Sequence, residues 1–131
     1  MKLHHIGYVV RDLASACRRF EKEGALVTSD PIDDPAQGVR VQFLTMGENT
    51  TIELVSPLEE TSVIQARLNR GGGLDHLCFM VDNLEAMLEN EEEQGGLVVC
   101  PPVFAAALQC KIAFVMRRSG LIVEFLEAES G

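Results

Sequence analysis

Hydrophobic and polar positions along the chain switch between a two-residue and a 3.6-residue period. Leu3 to Val10 is a short apolar run with β-branched residues and predicts a strand. Asp12 can cap a following helix, in which Leu13, Ala16, Cys17 and Phe20 recur at i, i+3, i+4 and i+7. Arg18, Arg19, Glu21 and Lys22 cover its outer side, and Gly24 is placed to stop it. Ala25 to Thr28 is a second strand, and Asp30 to Gly38, with two prolines and three aspartates, reads as an exposed loop. Val39 to Leu44 alternates: Val39, Val41 and Phe43 share one face, Arg40 and Gln42 the other. Met46 to Thr50 forms a hairpin turn, and Thr51 to Ser56 is the next strand. Thr61 or Ser62 caps a short helix through Leu68, and Gly71 to Gly73 reads as a flexible linker.

The second half repeats this order. Leu74 to Val81 is a strand, and Asn83 caps a helix that turns Leu84, Met87 and Leu88 inward. Glu89, Glu91, Glu92 and Glu93 form its solvated face. Strands follow at Leu97 to Val103, with Pro101 and Pro102 at an end or on an edge, and at Cys110 to Met116 and Leu121 to Leu126. The order is β-α-β-β-β twice, an α+β fold. Two such βαβββ modules, about residues 1–70 and 71–131 of a single domain, would form an open barrel-like trough with helices on the outside.

The halves are related by one shift. His5 and His76 stand 71 positions apart, as do Glu53 and Glu124. Each lies inside an apolar strand. A carboxylate on a buried strand is costly unless it is paired or binds a cation. Two imidazoles and two carboxylates make a mixed nitrogen and oxygen ligand set for one divalent first-row metal, with zinc, cobalt, nickel, manganese and iron as the candidates. A duplicated module accounts for all four at once.

The net charge of −9 argues against nucleic acid or an anionic membrane surface as partner. No apolar run is long enough to span a bilayer, and the N-terminus lacks a signal-peptide layout. Cys17, Cys78, Cys100 and Cys110 form no C-x-x-C pair, so reduced thiols and a cytoplasmic setting are expected.

The segments His5 to Leu13, Ile52 to Leu58, Gly73 to Leu84 and Gly120 to Phe125 resemble the vicinal oxygen chelate superfamily, which includes glyoxalase I, methylmalonyl-CoA epimerase, extradiol dioxygenases and bleomycin-resistance proteins. The epimerase branch is the most similar. By this resemblance His5, His76 and Glu124 match metal ligands and Glu53 matches the remaining ligand position. The resemblance implies a lyase or isomerase that stabilises an enolate by chelating two substrate oxygens, with Glu124 as base and Glu53 as its opposite number. Bacterial epimerases supply a carboxylate from the strand matched by Val39 to Leu44; here that strand offers Arg40 and Gln42 and no acid, and these two are the candidate substrate contacts. The implied substrate is a small molecule, acyl thioesters included, and the implied assembly a homodimer. The alternative is a non-catalytic binding protein of the bleomycin-resistance type; dioxygenase chemistry ranks below both.

Overall fold

A computed structural model describes residues 1–129, with nine strands and three helices among them. The chain divides into two compact units. One is His5–Asp75; the other is residues 76 onward together with Met1–His4. The fold is α+β with mixed parallel and antiparallel pairing.

The His5–Asp75 unit takes β1 (Lys2–Val9) from His5 on, α1 (Leu13–Lys22), β2 (Leu26–Val27), β3 (Ile32–Asp34), β4 (Val39–Met46), β5 (Thr50–Pro57) and α2 (Gln65–Asn69). Its sheet runs β2-β4-β5-β1, with β3 also on β4. The Asp12 carboxylate accepts from the Ala14 and Ser15 amides and starts α1, as expected of an N-cap. The helix then lays Leu13 and Cys17 on Leu44 and Leu54 of the sheet, with Tyr8, Phe20 and Ile52 closing the cluster. Helix α2 starts later than the sequence suggested: Ile64 is its N-cap, and neither Thr61 nor Ser62 bonds there as a cap.

The other unit takes β6 (Gly73–Val81) from His76 on, α3 (Leu84–Glu93), β7 (Leu97–Ala105), β8 (Cys110–Met116) and β9 (Ile122–Glu127). Its sheet runs β6-β9-β8-β7. Asn83 caps α3 by accepting from the Ala86 amide. Leu84 and Leu88 pack on Ala113, Val115, Val123 and Phe125. A second cluster, with Cys78, Ile112 and Leu126 at its centre, lies on the opposite side of the same strands.

Three further sequence expectations change. The stretch Asp30 to Gly38 is not all loop: Ile32–Asp34 pairs with β4, and Asp34 is buried, accepting from the Gln37 amide and side chain. Gly71 to Gly73 is a tight turn rather than a slack linker. All three glycines have positive φ, and a Cβ on Gly72 would sit 2.7 Å from the Val9 carbonyl oxygen. Glu91 is not solvated: it is 7% exposed and bonded to Arg117 across the unit.

Candidate metal centre

Parallel strands β1 and β5 bring His5 and Glu53 together. The register sets Gly7 opposite Glu53, so His5 lies one step along on the same face. Strand β5 is buried on both faces from Glu53 to Ser56, which is why an apolar run encloses the carboxylate. His5 is 1% exposed and Glu53 6%, and His5 Nε2 stands 3.6 Å from Glu53 Oε1.

Parallel strands β6 and β9 repeat the arrangement, with Cys78 opposite Glu124. His76 Nε2 stands 3.1 Å from Glu124 Oε1, and both residues are buried.

A phenylalanine completes each pair. Phe43 on β4 is directly across from Glu53, and its ring meets His5 edge-on at 6.2 Å. Phe114 on β8 is directly across from Glu124, and its ring meets His76 edge-on at 5.2 Å. Phe43 and Phe114 are again 71 positions apart. The repeat that located the histidines and glutamates carried this third member too. Each ring shields its pair from water and limits how the imidazole can turn.

The donor chemistry fits a divalent cation. Two ligand atoms each about 2.1 Å from one ion stand about 3.0 Å apart at a right angle and about 3.4 Å apart at a tetrahedral one. The separations of 3.1 Å and 3.6 Å fall near that range. Imidazole nitrogen with carboxylate oxygen suits zinc, manganese, iron, cobalt or nickel.

Arg40 and Gln42 are not brought to these faces. Gln42 points toward α1, where its side-chain oxygen accepts from the Cys17 thiol and its amide donates to the Ser29 carbonyl. Arg40 shares that parity and donates to Asp33 across β3 at 2.6 Å. That hydrogen bond holds the Asp33 carboxyl below its ordinary range. The face of β4 shared with Glu53 carries Val39, Val41, Phe43 and Thr45 instead.

Two half-buried thiols feel Glu124. Burial pushes the Cys100 thiol up, and the nearby Glu124 charge adds to it. Cys110 is pushed to about 11 by burial first, then by Glu124, Glu129 and Glu127. A cleft of about 450 Å³ lies elsewhere, between the end of α3 and the β8–β9 turn, lined by Glu91, Gln94, Arg117 and Arg118. Its residues are on the helix side of the sheet, away from the face of Glu124.

Residues 3–114 match the model of the glyoxalase/bleomycin resistance protein/dioxygenase superfamily, and the chain belongs to that superfamily. Within it, the chain is 35% identical over 100 residues to the ethylmalonyl-CoA/methylmalonyl-CoA epimerase of Cereibacter sphaeroides, covering 75% of this chain and 74% of that one. It is 33% identical over 95 residues to the mitochondrial methylmalonyl-CoA epimerase of Bos taurus, covering 71% of this chain and 54% of that longer protein. The crystal structure of methylmalonyl-CoA epimerase from Mycobacterium tuberculosis superposes with a TM-score of 0.83 at 29% identity, covering 98% of this chain and 88% of that one.

Proposed function

We propose that the protein is a metal-dependent, epimerase-like isomerase that moves the α-proton of a 2-alkylmalonyl thioester, methylmalonyl-CoA in the first instance. The observation that carries this reading is the buried His–Glu pair, present once in each unit at the same sequence shift. The epimerase relatives support it. His5, Glu53, His76 and Glu124 are the protein ligands of the cation.

A divalent cation at these side chains would supply Lewis-acid charge, which lowers the cost of negative charge on a substrate carbonyl oxygen. The chain's own groups do the rest. Glu124 takes the α-proton, leaving the electron pair delocalised into the thioester carbonyl. Glu53, its counterpart in the first copy, is the second acid–base group and returns a proton to the same carbon. Phe114 and Phe43 stand directly across from these carboxylates and help keep water from them. A homodimer and a cytoplasmic setting belong to this reading; a mass in solution reads the first.

The test is exchange in deuterated water. Metal content of the purified protein is measured, and methylmalonyl-CoA is followed by proton NMR for loss of its α-proton signal. Expected is one divalent ion per chain and exchange that falls about 10²- to 10⁴-fold in Glu124→Gln. Metal-loaded protein that leaves the α-proton of methylmalonyl- and ethylmalonyl-CoA in place would overturn the proposal.

A further inference from the structure

One register row crosses the whole sheet of the second unit. His76 is opposite Ile122, Ile122 opposite Met116, and Met116 opposite Leu97 at the edge strand. Directly paired residues share a face, and Ile122 shares its face with Glu124 two residues on. The row therefore begins at the His76–Glu124 pair and runs outward over three strand spacings, about 14 Å. Exposure rises along it, from 5% at His76 to 41% at Met116 and 63% at Leu97. It is an apolar track leading away from the candidate site.

The first copy supplies a control. The same row there reads Thr51, Thr45 and Leu26, with Thr51 opposite Thr45 and Thr45 opposite Leu26. Each lies 71 positions before Ile122, Met116 and Leu97. The duplicated scaffold thus accepts hydroxyls at two positions where the second copy has an isoleucine and a methionine. Their apolar character is not required to form the row. Contiguous apolar surface that a fold does not require marks a binding site, and methionine adapts its shape to a bound chain.

We propose that Ile122, Met116 and Leu97 cradle the apolar stretch of the thioester arm, the non-reacting part of the substrate that extends from the sulfur. This rests on the thioester reading above. Continuity with the His76–Glu124 pair favours this occupant over a second copy of the chain. The edge strand itself offers little for strand addition, since β7 carries Pro101 and Pro102, which lack amide donors.

The test compares methylmalonyl-CoA with methylmalonyl-N-acetylcysteamine, which carries the same acyl group on a short arm. In the double variant Met116→Thr, Leu97→Ser, the KM for the CoA thioester rises about tenfold while that for the short thioester moves less than twofold. Leu26→Ser, the matching change in the first copy, leaves both where they were. Thermal unfolding confirms that each variant folds. Equal shifts for the two thioesters, no shift, or the same shift from Leu26→Ser would overturn the proposal. So would a double variant that changes only the mass in solution, which would make the row a subunit contact. If the unmodified protein exchanges no α-proton at all, the isomerase reading fails separately. Calorimetric dissociation constants for propionyl-CoA and propionyl-N-acetylcysteamine with the same variants then decide the cradle by itself.

Discussion

Removing Arg117 should harm the fold more than removing Glu91, although the two form one ion pair. The Arg117 Nε–Glu91 Oε1 distance is 2.8 Å, and the side chains are 35% and 8% exposed. Taking away the arginine leaves a carboxylate in a nearly dry site, and breaking a buried pair this way costs about 3–5 kcal/mol. The partly open arginine side lets some water in, so the lower end, about 3 kcal/mol, applies to Arg117→Ala. Glu91→Gln leaves a guanidinium that can rehydrate and an amide oxygen that can still accept, so about 1 kcal/mol is lost. For 131 residues the unfolding entropy is about 275 cal/mol/K, and each kcal/mol shifts the midpoint by about 3.6 °C. Thermal unfolding followed by circular dichroism should therefore show a drop of about 11 °C for Arg117→Ala and about 4 °C for Glu91→Gln. Equal drops, or the reverse order, would refute the argument that burial of the carboxylate sets the cost.

Other outcomes follow from single positions. Gly72→Ala should cost about 3 kcal/mol in a urea titration, from positive φ plus the close approach to Val9, whereas Gly71→Ala, with open space at its Cβ, should cost about half that. Phe114→Leu, which removes the ring against His76, should weaken metal binding about 3- to 10-fold in a chelator competition; unchanged affinity would leave Phe114 a packing residue only. For Cys110 the folded value of about 11 lies above the ordinary 9.0, so the fold favours the protonated thiol. Its contribution to stability is whole below about pH 9 and is lost as pH rises toward 11. In metal-free protein Cys110→Ser should flatten the fall in unfolding midpoint over that interval, and an unchanged slope would count against it.

Much of the fold was legible because periodicity, caps and turns agree. Asp12 and Asn83 cap the helices that the i, i+3, i+4 stripes predicted, and the paired strands carry the histidines and glutamates one shift apart. What failed depended on partners distant in sequence. The stripe of Leu84, Met87 and Leu88 reaches Glu91 at i+7, so its place on the buried face could be counted out, but the partner that accommodates the charge, Arg117, lies 26 positions on and has no local signal. Asp33 and Asp34 looked like loop residues, and it is pairing with β4 that makes their segment a strand.

The placement of Arg40 and Gln42 is the more instructive difference, because the sequence held the means to derive it. Alternation along Val39 to Leu44 separates two faces but does not say which one Glu53 shares. The hairpin does. With Met46 opposite Thr50, each step back along β4 is matched by one step forward along β5, so Phe43 must stand opposite Glu53 and Gln42 opposite Leu54. Leu54 belongs to the cluster under α1. The position of the turn alone therefore sends Gln42 and Arg40 to the helix side and Phe43 to the carboxylate. The same count from Met116 opposite Ile122 puts Phe114 across from Glu124. Once the two turns are fixed, the His–Glu–Phe trio in each copy follows from arithmetic on strand register, and a polar residue on β4 can reach Glu53 only from position 39, 41, 43 or 45.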